Sequence, residues 1–153
     1  MKFVLCTIAL VATALAASQA EIDANKATIE NMVKVLKDDS KSAEEKKTAY
    51  TTAINSLQGD YKTKYDTMVQ SVKTDVNNMP AGAAKDASQK FIAMFESGDL
   101  FGPKDQVKTK VKDIVASLST EDKEKLKQLQ EKYGKEFKET FKDIVPAHAD
   151  PMA

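Results

Sequence analysis

The chain has no tryptophan, no arginine, one histidine and one cysteine. Each scarcity closes a class of function. A lone cysteine, Cys6, cannot build the disulfide framework that staples many small exported domains. One histidine, His148, with no second cysteine leaves too few donors for a zinc or haem site, and no metal or other cofactor is expected. The same histidine is the only imidazole base that a serine nucleophile could use, and it lies in the last residues of the chain. Lysines number 23 against 23 acids. That balance, without the arginine forks that grip phosphates and guanines, argues against a nucleic-acid partner. Glycines (5) and prolines (4) are too few for the many turns of an all-β protein. No uninterrupted apolar segment reaches the roughly 20 residues of a transmembrane helix.

What is present begins with a leader. Lys2 precedes an apolar run from Phe3, and the small residues of Leu15-Ala-Ala-Ser-Gln-Ala20 follow. This is the layout of a secretory signal peptide over residues 1–20, with Ser18 and Ala20 flanking the cut and Glu21 as the new N-terminus. Removing 20 of the 153 residues leaves 133, with 22 lysines, 23 acids and no cysteine. A chain of that length is expected to form one domain over 21–146, held by its apolar core alone. Secretion to the extracellular space follows as an expectation.

From Glu21 onward the apolar residues recur at helical spacing. Ile22, Ile29, Met32, Val33 and Leu36 share one face. Ser42 and Glu45 form a capping box before Ala49, Tyr50, Ala53, Ile54 and Leu57. Asp60 is expected to cap a third helix carrying Tyr61, Tyr65, Met68, Val69, Val72 and Val76, which stops before Pro80. A fourth face holds Ala84, Ala87, Phe91, Ile92 and Phe95, with Met94 alongside, and Gly98 is the expected left-handed stop. Pro103 suits the first turn of a fifth helix bearing Val107, Val111, Ile114, Val115 and Leu118. Ser119 and Asp122 open a sixth with Leu126, Leu129, Tyr133, Phe137, Phe141, Ile144 and Val145, and Gly134 is a candidate bend. The sequence therefore predicts an all-α, single-domain bundle of five to six amphipathic antiparallel helices, broken near 39–41, 58–60, 80–82, 98–102 and 118–119. A flexible tail is expected over 147–153.

No constellation for catalysis emerges. The acid pairs Asp38-Asp39, Glu44-Glu45 and Glu121-Asp122 lie at helix ends, where dipole and cap support explains them. Ser42 and Ser119 fit an acidic-directed phosphorylation pattern, but each is explained by its cap. No calcium loop is present, and Gly98 with Gly102 is too sparse to cradle phosphate. The chain is therefore not expected to be an enzyme. What stands out is apolar: Phe91, Ile92, Phe95, Leu100, Phe101, Val111, Ile114 and Leu118 cluster in adjacent helices and the loop between them. Ordinary core is one reading of them. The other is the lining of a site for a small hydrophobic ligand, with Leu100 and Phe101 displayed by a loop that regulates entry. Lys90 or Lys104 would then meet a carboxylate at the mouth.

The stretch Ser117-Leu-Ser-Thr-Glu-Asp-Lys-Glu-Lys-Leu-Lys127 resembles the helix openings of the nematode fatty-acid- and retinol-binding proteins. Val107-Lys-Thr-Lys-Val-Lys-Asp-Ile-Val115 is similar to the helix that precedes such an opening, and Ala84-Lys-Asp-Ala-Ser-Gln-Lys-Phe-Ile-Ala93 to the family's alanine-rich helix. The resemblance covers mainly residues 84–141. It implies a wedge-like helical fold, an internal cavity for fatty acid or retinol, and secretion into body fluid or host tissue. Two alternatives share the same composition. One is an apolipoprotein-like bundle, similar to insect lipophorin proteins, that opens in transient contact with lipid surfaces. The other is a secreted helical interaction protein, an effector or antigen, that docks a partner without a small-molecule ligand.

Overall fold

The computed structural model of the protein describes residues 18–145. The expected leader through residue 17, with Cys6, and the expected tail at 147–153, with His148, lie outside the described residues. Six α-helices follow one another: α1 Gln19–Lys37, α2 Ala43–Asn55, α3 Tyr61–Asn78, α4 Ala83–Ser97, α5 Lys104–Ala116 and α6 Thr120–Phe141. A single 3₁₀ turn, Asp99–Phe101, joins α4 to α5, and no strand occurs among the described residues. The all-α bundle read from the spacing is the observed fold.

The helix ends follow their local chemistry. Ser42 Oγ accepts from the Glu45 N–H at 3.2 Å while the Glu45 carboxylate accepts from the Ser42 N–H at 2.9 Å, a closed capping box. The Ser42 backbone N–H, with the Lys41 ammonium and the Ser42 hydroxyl, holds the Glu45 carboxyl down to about 2. Ser119 caps α6 by accepting from the Asp122 N–H at 3.1 Å.

Three expectations shift. Helix α1 starts at Gln19 rather than Glu21, because Ser18 and Glu21 form a second capping box across the expected cut. Asp60 does not cap α3: its backbone already has helical dihedrals (φ −89, ψ −1), so its carboxylate instead pairs with Lys64 at 2.8 Å. Pro103 occupies the N-cap position of α5, one residue before the first turn. Gly134, the candidate bend, lies inside α6, which runs on without a break. A helical glycine costs about 1 kcal/mol, less than the burial gained by keeping Tyr133, Phe137 and Phe141 on one continuous face.

The main core joins the first three helices to the end of the sixth. Ile29, Ile54, Leu57, Tyr61, Met68, Phe141 and Ile144 are buried together, with Ile22, Met32, Val33, Tyr50, Tyr65, Tyr133 and Phe137 packed at their edges. Beyond Phe141 the chain turns inward instead of running on as helix, and Ile144 becomes fully buried. Antiparallel packing is read directly from pairs of residues. The start of α3 meets the end of α6 through Tyr61 and Phe141 (ring centroids 6.1 Å), while Asp75, late in α3, accepts from the earlier Tyr133 hydroxyl at 2.8 Å. Helix α4 packs on α3 and α6, with Ala84, Ala87, Ser88 and Met94 buried.

One polar side chain sits at the centre of this arrangement. Asn25, fully buried on the apolar face of α1, accepts from the Gln58 N–H at 2.8 Å and donates to the Gln58 carbonyl at 3.2 Å. Its amide thus pairs with both backbone groups of one residue, as a neighbouring strand would. This ties the α2–α3 turn, where Gly59 takes the left-handed φ of +66, against α1. Replacing Asn25 with leucine keeps the number of side-chain heavy atoms and removes the partner of both part-buried Gln58 groups. Each lost bond is worth about 0.5–1.5 kcal/mol net, so Asn25→Leu is expected to lower the unfolding free energy by about 1–3 kcal/mol in urea titration. A loss under about 0.5 kcal/mol, the level of an ordinary surface substitution, would show that the clamp contributes nothing to folding.

Candidate functional site

The apolar residues singled out at 84–118 are divided by the fold into three groups. Phe91, Ile92 and Phe95 lie on α4 and are half-buried, whereas their neighbour Met94 is buried at 7% exposure. Val111 and Ile114 lie on α5 and are also half-buried, and Leu118, after α5, is buried. Helix α5 is distinctive: Val107, Val111, Ile114 and Val115 make an apolar stripe, yet no residue of the helix is fully buried. It packs chiefly on α4 and on the 3₁₀ turn.

The turn between them differs from the expected loop. Leu100 is exposed, at 37%, but Phe101 folds inward. The Phe101 ring lies 5.4 Å from the Tyr50 ring and 6.3 Å from that of Phe95, and Phe95 meets Tyr50 edge-on at 5.5 Å. The sequence reading that displayed both residues outward is therefore corrected at Phe101. The cause is the tight turn: the Phe101 N–H donates to the Gly98 carbonyl at 3.0 Å, which reverses the chain within three residues. That geometry requires Gly98 at φ +90, where an L side chain is strained. A Cβ there would also come within 2.7 Å of Lys47 Cδ, because the Lys47 stem crosses Gly98 to donate to the Ser97 carbonyl at 3.2 Å. A further tie is the ion pair of Asp99 with Lys110 at 2.9 Å, between turn and α5. The Lys110 hydrogen bond holds the Asp99 carboxyl below its ordinary value. Lys90 and Lys104 are both exposed, and the lysine that reaches the turn from α5 is Lys110, which the sequence reading did not choose.

At the inner side of the aromatic cluster, the hydroxyls of Tyr50 and Tyr65 meet at 2.6 Å. Neither tyrosine was read as part of a site, since both sat at ordinary core spacing. Burial pushes the Tyr50 phenol far up from its ordinary value and raises Tyr65 as well. The four aromatic rings Tyr50, Tyr65, Phe95 and Phe101 thus form one cluster between α2, α3, α4 and the turn.

Two open spaces among the described residues lie beside other side chains. A groove of about 610 Å³ runs between α3 and α6, lined by Thr63, Thr67, Ser71, Thr74, Asp75 and Tyr133 among others. A smaller pocket of about 180 Å³ sits beside the turn, with Glu44, Asp99, Gln106 and Lys110 on its walls. Both are rich in polar groups, and neither is lined by any of the eight apolar residues. Among the described residues no group of three or more His, Cys, Asp or Glu could hold a metal ion, and no helix is long and apolar enough to cross a membrane.

The raised Tyr50 and Tyr65 phenols link stability to alkaline pH. A folded-state value above the ordinary 10.0 means that the unfolded chain releases these protons first, so the stability is complete below pH about 10 and falls as pH rises beyond it. Tyr50→Phe is expected to flatten this alkaline loss, followed as the urea midpoint between pH 8 and pH 11. Equal slopes for wild type and variant would show that the phenol is freely solvated.

Comparison with protein-family models, with curated proteins and with solved structures finds no match for the chain.

Proposed function

We propose that the protein is a carrier of long-chain lipid, of the fatty-acid and retinol class, whose site is the aromatic cluster between α2, α3, α4 and the turn, with α5 beside it. The observation that carries this reading is the loosely held α5. It buries no side chain of its apolar stripe completely, and one exposed ion pair, Asp99–Lys110, ties it to the turn before it. Elements with few buried contacts open at low cost. Movement of the turn would withdraw Phe101 and leave Tyr50, Phe95, Phe91, Ile92, Val111 and Ile114 to receive an acyl or polyene chain. Bound chains of this kind are covered mainly by apolar and aromatic side chains, and no disulfide opposes the parting of the helices. The protein is non-enzymatic in this proposal, and it is exported through the apolar leader, in keeping with the absence of cysteine after Cys6. The resemblance at residues 84–141 supports the same reading.

A second reading draws on Leu100, a large apolar side chain exposed at the tip of the turn. Such a residue suits contact with a partner protein or a lipid surface, and the turn would then act as it stands, without opening.

Displacement of a fluorescent fatty acid separates these readings. Wild type is expected to bind the probe at micromolar concentration and to release it to oleate or retinol. Phe95→Asp, which sets a charge in the aromatic cluster, is expected to weaken binding by about tenfold or more while circular dichroism still reports a helical bundle. Absence of binding at micromolar concentration fails the carrier reading. Clearance of phospholipid vesicles would then favour an apolipoprotein-like bundle, and inertness in both assays an interaction protein.

A further inference from the structure

The groove between α3 and α6 has an unusual wall for this chain. Charged residues make up 30% of the sequence, yet the α3 side of the groove is mostly uncharged, with Thr63, Thr67, Gln70, Ser71 and Thr74. Thr63, Thr67, Ser71 and Thr74 follow one another at steps of four, four and three, which sets them along one face of the helix. At 1.5 Å per residue the row is about 16 Å long. Threonine is a weaker helix former than lysine or glutamate, so the row costs α3 some helix stability. Tyr133 and Glu136 of α6 form the opposite wall, and Asp75 lies at the far end of the row. The enclosed space, about 610 Å³, is the size of a small-molecule site. We infer that this groove binds a neutral, hydroxyl-rich ligand, a short oligosaccharide. The inference goes beyond the carrier reading and does not depend on it.

Hydroxyls and an amide both donate and accept, so they can exchange bonds to water for bonds to the hydroxyls of a sugar. Asp75 supplies the strongest acceptor. Its Oδ2 accepts from the Lys132 ammonium at 2.5 Å and from the Tyr133 hydroxyl at 2.8 Å, which leaves Oδ1 for a ligand hydroxyl. The Lys132 hydrogen bond holds the Asp75 carboxyl below its ordinary value, so it is ionised at neutral pH. The half-buried Tyr133 ring adds an apolar surface for the C–H face of a sugar ring. Charge argues against the other ligand classes. Lys132, the lysine of the lining, is committed to Asp75 and is not available to an anion. Asp66 pairs with Lys62 and Asp75 with Lys132, so Glu136 is the one lining carboxylate without a lysine partner among the described residues, too little to hold a polycation. An acyl chain would strip water from the row of hydroxyls and return no hydrogen bond.

Nuclear magnetic resonance titration of the isotope-labelled protein with chitotetraose, maltotetraose and cellotetraose tests this. At least one of the three is expected to move the amides of residues 63–75 and 132–136, with a Kd of about 1 mM or tighter. Thr67→Val combined with Thr74→Val removes two exposed hydroxyls and keeps the side-chain shape. Its affinity is expected to fall about fivefold or more, the value of two net hydrogen bonds, with far-ultraviolet circular dichroism unchanged. Should that variant lose helix signal, Thr67→Gln, a better helix former that fills the groove from an exposed position, is expected to block binding. No shift from any of the three saccharides at about 10 mM overturns the inference. So does a saccharide that moves amides elsewhere, or one that binds the folded valine variant as tightly as wild type. Shifts in the groove caused by spermine or by oleate, and by none of the saccharides, overturn it in favour of a cation or a lipid.

Discussion

The buried amide of Asn25 fixes the geometry on which the rest of the bundle is built. By pairing with both backbone groups of Gln58 it sets where α2 ends and α3 begins relative to α1. From that turn follow the burial of Leu57 and Tyr61 on either side, and the surface against which Phe141 and Ile144 close. A buried polar group must be satisfied or it costs as much as several buried methyl groups, so a register in which Asn25 misses Gln58 is disfavoured. Hydrophobic contacts alone would tolerate more than one rotation of α1. The amide tolerates one.

The molecule is therefore unequal in its stability. Helices α1 to α3 and the end of α6 share a continuous core containing residues exposed by 8% or less. Helix α5 holds on through half-buried valines, an isoleucine and one ion pair, and the turn before it through the Phe101 ring and the Lys47 stem that crosses Gly98. With no disulfide available to the described residues, nothing covalent evens out this difference. The proposed function uses it: the firm half keeps the fold, while the loose half opens the aromatic cluster.

Much of this was legible in the sequence because helical periodicity and caps are local signals. The faces of α1 to α6 were read from spacing, and Ser42–Glu45 and Ser119–Asp122 from capping chemistry. What escaped was non-local. Asn25 stands between Ile22 and Ile29 at spacings of three and four, a polar residue on an apolar stripe, and that was the available clue. Ser88 repeats it on α4: it is buried at 3% exposure and donates to the Ala84 carbonyl at 2.9 Å. The inward turn of Phe101 depends on a 3₁₀ turn that composition does not distinguish from an open loop. The Ser18–Glu21 box was hidden by assigning both residues to a processing junction. At Asp60 a helix-start residue was identified, but its dihedrals direct the carboxylate to Lys64. The eight proposed ligand-site residues were read as one lining. The fold draws Phe95 and Phe101 together around Tyr50, exposes Leu100 and buries Leu118.

Hydrogen exchange resolved along the chain tests the unequal stability most directly. Amides of α5, Lys104–Ala116, are expected to exchange well before those of α3, Tyr61–Asn78, under native conditions, because α5 opens without unfolding the core. Exchange of both helices at the same rate, set by global unfolding, would contradict a turn and helix that part from the bundle to admit a ligand.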